Sequence, residues 1–322
     1  MWTFPIQASL DYFEFFAGVG NITTQARACG YKALRFDILD NNKPHDRKSN
    51  FMDLNSSSGF ALAVTCLLRA RVRDFSAHFA IKCSSLCTTN QGTSKRSPAS
   101  STGFTDYPSV STSNKLLERV CCLIYLTTAL GGAWTVEQPD GSVLEFYPTW
   151  RTLMMNIFAI GGQLAVSKVK WYMQHYSGPT PKRHYGFANT PAILKLNRGR
   201  LLRNQQKVNS QHTKIKTADV YYDKKGVKRW KGNTNLRKSE IYPMPFARCL
   251  VDLLPEMKST CVGTPLLPAE VPEAVKSFSS WPEVPRDEWQ FVDFGETFQY
   301  LRGNRNLKIP SHWRGIIPDR LG

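Results

Sequence analysis

Two glycines, an acid and a thiol carry the chemistry legible in this sequence. Phe16-Ala-Gly18-Val-Gly20-Asn21 lies between an aromatic apolar run and an amphipathic one. Glycines there let the backbone turn sharply and approach a ligand closely, and a helix beginning at Asn21 adds free N–H groups and a partial positive charge. A dinucleotide fingerprint places a third glycine at 23, where this chain has Thr23. Asp37 closes the next apolar run, seventeen residues past Gly20, and an acid there can accept hydrogen bonds from a ribose diol. Cys83 ends a later run, at the carboxyl edge where α/β sheets place ligands. The six histidines show no metal spacing, and no Ser-His-Asp arrangement is present.

These residues need a sheet to bring them together, and the patterning supplies one. Short apolar runs at 11–17, 31–38, 51–54, 78–83 and 133–137 read as strands. Stretches at 21–29, 59–71, 115–130 and 150–160 have helical spacing, and glycines follow several of them. Residues 163–174 and 185–189 are late strands, and the Ser/Thr/Gly/Pro-rich 84–114 is a long loop. Alternating strands and helices predict an α/β fold with a mostly parallel sheet and helices on both faces. Residues 220–222 and 227–230 flank Asp223-Lys-Lys-Gly226 as a hairpin. Residues 240–246 turn into a final helix that returns to the sheet and closes a cofactor pocket. The division expected is 1–254, with a basic insertion at 195–240, and an irregular Pro/Trp-containing extension at 255–322.

The glycine turn, Asp37 and Cys83 resemble the DNA cytosine-5 methyltransferases, which use S-adenosylmethionine (SAM). Their strand ending Phe-x-Gly-x-Gly stands here as Phe16–Gly20. The resemblance implies a Rossmann-like SAM-methyltransferase fold over about residues 10–255. It implies that Phe16 packs on adenine, that Gly18 and Gly20 line the methionine end, that Asp37 holds the ribose and that Asp53 takes the adenine amino group. Cys83 resembles the family's Pro-Cys nucleophile, with Lys82 in place of the proline, and the loop after it the mobile catalytic loop. Glu137 in Val-Glu-Gln-Pro resembles the Glu-Asn-Val motif, with Gln138 in place of the asparagine. The chemistry explains these residue types. Cytosine C5 is a poor nucleophile until a thiolate adds at C6, and an acid near N3 assists by a proton or a hydrogen bond. The expected arginine-bearing motif is not clear, and residues 178–184, with Lys182 and Arg183, stand in that neighbourhood. Lys82 is a cation that favours thiolate at Cys83. The same turn also suits a Rossmann-like site for another nucleotide, and Cys83 suits a packing thiol, with Cys87 as a second nucleophile. Cys121-Cys122 reads as core, and Arg119 as either cleft or surface.

The charge points to the partner. Of a net +17, residues 195–240 hold fourteen Lys/Arg against three acids. Concentrated positive charge suits a polyanion, although a solvated basic face is the simpler alternative. Lys95 and Arg96 sit in the polar loop after Cys83. Lys224, Lys225, Lys228, Arg229 and Lys231 surround Trp230, a combination that grips phosphates and stacks a base. The expected partner is nucleic acid, DNA ahead of RNA, in an intracellular setting that is nuclear if DNA is the substrate. Eight irregularly spaced cysteines in 322 residues do not make a disulfide scaffold. No run is long and apolar enough for a membrane span. Two function classes remain: a SAM-dependent methyltransferase, and a catalytically inactive nucleic-acid-binding or interaction module on the same fold.

Overall fold

The computed structural model describes residues 8–40, 51–201 and 216–262. Its strands are β1 (Tyr12–Phe15), β2 (Ala33–Phe36), β3 (Ser76–Phe79), β4 (Ala133–Pro139), β5 (Ser167–Tyr172) and β6 (Arg183–Ala188). They form one sheet in the order β2-β1-β3-β4-β6-β5. The first four run parallel, and β6 is inserted antiparallel between β4 and β5. Around the sheet lie α1 (Asn21–Ala28), α2 (Ser57–Leu68), α3 (Gln91–Ser94), α4 (Pro108–Ala129) and α5 (Pro148–Gly161). Three more follow: α6 (Thr234–Lys238), α7 (Met244–Asp252) and α8 (Leu254–Thr260). This is a Rossmann-like architecture, with the mostly parallel α/β sheet and flanking helices that the patterning predicts.

The two faces of the sheet differ. Alternation along each strand sends Phe13, Phe15, Phe79, Trp134, Val136, Tyr185 and Phe187 to one side, under α2, α4 and α5. That side is a dry aromatic slab, with Phe15 and Phe79 stacked at 4.9 Å. The other side carries Tyr12, Glu14, His78, Thr135 and Glu137, covered by α1, α7 and α8. Ile22 and Ala26 of α1 share a cluster there with Phe246, Ala247, Leu250 and Val251 of α7.

Several sequence expectations change. Residues 51–54 form a turn rather than a strand, because Asp53 and Ser56 organise the start of α2. The Asp53 carbonyl accepts from Ser56 N at 2.9 Å, and Ser56 Oγ then caps α2 by accepting from Gly59 N at 2.9 Å. Strand β3 ends at Phe79, four residues short of Cys83, because the chain leaves the ladder. The Ile81 carbonyl accepts from Gln138 Nε2 at 2.6 Å instead of from a strand neighbour. Helix α4 starts at Pro108, seven residues early, with proline at a first-turn position where its missing N–H costs nothing.

The segment after Cys83 is pinned rather than free. Thr88 N donates to Gly141 O at 2.9 Å, and Val143 N donates to Leu86 O at 2.9 Å. The expected hairpin forms as β7 (Ala218–Tyr222) and β8 (Lys228–Gly232). Most of the extension expected at 255–322 lies outside the described residues, and its first part is helix α8.

Candidate active site

The glycine turn follows β1 directly. Gly18 and Gly20 have φ of 54° and 77°, and Phe16 also takes a positive φ, 61°. A left-handed phenylalanine is costly, and such strain gathers at ligand loops. The Phe16 ring is half-buried against the aromatic slab. Asp37, just past β2, is fixed by this turn: Oδ2 accepts Gly18 N at 2.8 Å and Oδ1 accepts Leu39 N at 2.9 Å. Arg35 lies against Gly20, where an added Cβ would sit 3.0 Å from the guanidinium, and it pairs with Asp40. Among the described residues, nothing lies within 4 Å of a Cβ built on Gly18. Asp53 stands apart in the turn before α2, where its Oδ1 accepts Asn55 N at 2.9 Å.

Cys83 is half-buried just past β3, next to the end of β4. Its thiol is shifted below the ordinary thiol value. A hydrogen bond from Cys87 contributes most, burial opposes it, and Lys182 adds a favourable positive charge. Cys87 is pushed the other way by the same contact and by burial. The cation that acts on Cys83 is therefore Lys182, and not its neighbour Lys82. All eight cysteines are free thiols.

Glu137 is 8% exposed, and both carboxylate oxygens are engaged. Oε1 accepts from His184 Nδ1, and Oε2 accepts from the Tyr242 hydroxyl at 2.7 Å. Burial works against its charge, yet His184, Tyr242 and Lys182 outweigh it and hold the carboxyl down at about 2. Tyr242 has one hydrogen and gives it to Glu137, so at 3.2 Å its oxygen accepts from His78 Nε2. His78 Nδ1 then accepts from Thr135 Oγ1 at 2.7 Å, and burial lowers this imidazole to about 4, keeping it neutral. On β1, Glu14 is fully buried and accepts from both N and Oγ1 of Thr23. Burial raises it to about 7, and its second oxygen has no partner among the described residues.

The structure therefore brings Gly18, Asp37, Cys83, Glu137 and Lys182 to the carboxyl rim of four adjacent parallel strands and the strand beside them. It does not bring Arg96 there, and it turns the Arg183 side chain to the other face of the sheet, beside Tyr172. Arg96 is 1% exposed. It donates to Ser101 O, to Ser85 Oγ at 3.2 Å and to Asn114 Oδ1 at 2.7 Å, so it ties the 84–114 segment together and has no face for a phosphate. Arg119 is likewise structural, donating to Leu54 O and Ser56 O at 2.7 Å. Arg183 is exposed, facing Asp140 and Tyr172. Lys95 is exposed at the end of α3. Lys224, Lys225, Lys228 and Lys231 are exposed on the hairpin, and Arg229 pairs through its backbone with Tyr221. Trp230 is 67% exposed, with Lys228 Nζ 5.2 Å from its ring, so it is not a packing residue.

Sequence reasoning misses His184, Tyr242, His78 and Glu14. Only the position of His184 beside Lys182 hints at it.

No family model matches the chain, and no curated protein does. Two solved structures resemble it. One is the Entamoeba histolytica methyltransferase EhMeth, at 14% identity over 61% of this chain and 56% of that one, with a TM-score of 0.35. The other is the S. pombe Dnmt2 methyltransferase, at 12% identity over 56% and 49%, with a TM-score of 0.31. The chain spans about half the length of these two proteins. Similarity this low bears on neither substrate nor mechanism, which rest on the side chains above. Among the described residues, no cluster suits a metal ion and no helix is long and apolar enough to cross a membrane.

Proposed function

We propose that this chain is a SAM-dependent methyltransferase acting on nucleic acid, at C5 of cytosine, with DNA ahead of RNA. The observation that carries the reading is the meeting of the glycine turn, Asp37, Cys83, Glu137 and Lys182 along one rim. The residues at the turn fit SAM. Among the described residues the space beside Gly18 is open, and each oxygen of Asp37 takes one backbone hydrogen, leaving lone pairs for a ribose diol. Phe16 and the Gly18–Gly20 backbone would line the adenine and methionine ends. SAM supplies an electrophilic methyl group when bound.

The chain's own residues prepare the base. Cys83, poised toward thiolate by Cys87 and Lys182, adds to cytosine C6 and makes C5 electron-rich. Glu137, held down at about 2, carries its charge at neutral pH and assists by accepting a hydrogen bond from the cytosine amino group. Lys182 is the nearby charged donor. The exposed Trp230 and hairpin lysines offer stacking and phosphate contact.

Calorimetry with SAM on the full chain tests the cofactor. A saturable signal is expected, and its absence removes the reading. Cys83→Ser should keep that signal and lose methyl transfer.

The engagement of both Glu137 oxygens and the approach of Arg35 to Gly20 favour a second reading, a catalytically silent nucleic-acid-binding module. That protein would bind oligonucleotides with steep salt dependence and give no heat with SAM.

A further inference from the structure

The end of edge strand β5 holds a cavity of about 550 Å³ that the methyltransferase chemistry does not use. This size is ordinary for a ligand site. Its lining includes Lys170, Tyr172, Arg183, Asn197 and Arg200. One carboxylate serves two of the cations: Asp140 Oδ1 lies 2.7 Å from Lys170 Nζ, and Oδ2 lies 3.6 Å from Arg183 Nη1. With Arg200 counted, the wall carries three positive charges against this one acid. All three of the paired side chains remain partly open to solvent, at 42%, 44% and 30%.

The Arg183 guanidinium also lies over the Tyr172 ring, 5.5 Å from its centre, a cation–π contact at the cavity wall. A planar guanidinium is a phosphate receptor, and an aromatic ring beside it is a surface on which a base can stack.

The cavity lies at the same end of the sheet as the candidate active site but on its other face, since alternation along β6 sends Arg183 and His184 to opposite sides. Asp140 follows Glu137 by three residues on the same strand end, and Arg183 sits between Lys182 and His184. In the register of the sheet, His184 faces Pro139 and Arg183 faces Tyr172.

We propose that this cavity is a second nucleic-acid subsite, which holds a phosphodiester of the strand flanking the target base. The choice of occupant rests on the nucleic-acid reading above. Lys170, Arg183 and Arg200 take the phosphate oxygens, and Asp140 keeps two of them in place until the phosphate arrives. Because Asp140 competes with the ligand for the same donors, removing its charge strengthens binding rather than weakening it.

The test is fluorescence anisotropy of a short labelled single-stranded oligonucleotide with the full chain, across a salt series. Lys170→Ala/Arg200→Ala should weaken binding about tenfold. It should also make the slope of log affinity on log salt shallower by about 0.7 for each phosphate that the variant no longer neutralises. Asp140→Asn should tighten binding, a change that misfolding cannot produce. Unchanged affinity and slope in the double variant overturn the proposal, and so does weaker binding by Asp140→Asn. Adenosine monophosphate as competitor separates a polymer's phosphodiester from a free nucleotide. Poor competition is expected, and competition equal to that of the unlabelled oligonucleotide overturns the polymer assignment. Calorimetry with SAM on the same variants reads the methyltransferase proposal separately, so either can fail alone.

Discussion

Tyr242 donates its phenolic hydrogen to Oε2 of Glu137 across 2.7 Å, while its backbone carbonyl accepts Asn21 Nδ2 at 2.7 Å. One residue thus joins the lead into α7, the first residue of α1 behind the glycine turn, and the acid at the end of β4. Replacing it with phenylalanine leaves a buried carboxylate oxygen without its donor, at a cost of about 1–3 kcal/mol. Urea unfolding of Tyr242→Phe at pH 7 should show that loss. The lost donor is one of the groups that hold Glu137 at about 2. The difference from wild type should therefore shrink as pH falls from 4 through 2, below which the native carboxyl is protonated in both proteins.

Glu14 and Glu137 titrate in opposite directions, which predicts a stability maximum on the acid side of neutrality. Glu137 is depressed to about 2 from 4.5, so its contribution is full above pH 5 and lost as pH falls through 2. Glu14 is raised from 4.5 to about 7, chiefly by burial. The native state therefore holds a proton that the unfolded chain has released between those values. Stability then falls by about 1.4 kcal/mol per pH unit from pH 5 to 7, roughly 3 kcal/mol in all. Glu14→Gln keeps an acceptor for Thr23 and removes the charge. Its unfolding free energy should be flat over that window and exceed wild type at pH 8.

The reactivity of Cys83 offers a direct readout of its surroundings. Alkylation by iodoacetamide, followed against pH with peptide mapping, should show a midpoint below that of an ordinary thiol. Cys87→Ala removes the largest favourable contribution and should move the midpoint upward. Lys182→Met should do so by less, because Lys182 ranks below Cys87 and burial among the causes. A midpoint that stays put in Cys87→Ala would contradict this account.

Two residues that the sequence offers alike for nucleic-acid contact should behave differently. Trp230→Ala, at a side chain 67% exposed, should leave thermal unfolding unchanged and weaken oligonucleotide binding by about 1–3 kcal/mol. Arg96→Ala leaves the Ser101 carbonyl and Asn114 Oδ1 without their donor, so it should lower unfolding stability by several kcal/mol. Differential scanning calorimetry beside anisotropy separates the two.

The sheet is legible where punctuation and period agree. β1 and β4 are aromatic or branched runs bounded by glycine or proline, and α1 opens at the glycine turn, so their places follow from local chemistry. α4 reads short because its first two turns are Ser/Thr-rich, which hides an apolar period that only Val110 continues. β3 reads long because Ala80 and Ile81 are apolar, and nothing local shows that Gln138 takes the Ile81 carbonyl. Gly18, Asp37, Cys83 and Glu137 stand out because each lies near the end of a strand. Tyr242 and His184 do not, since their tie to Glu137 spans 105 and 47 residues. A charge count likewise cannot separate the sealed Arg96 from the open Trp230 hairpin.

The unequal sides of the sheet have a consequence for how the molecule comes apart. The slab beneath α2, α4 and α5 is hydrocarbon and ring, indifferent to protons. The layer under α1, α7 and α8 is fastened through carboxylates and imidazoles. Acidification toward pH 2, where Glu137 gains its proton, would loosen that second layer first. The glycine bend belongs to it, so the protein would lose its grip on a nucleoside while most of its bulk still stood.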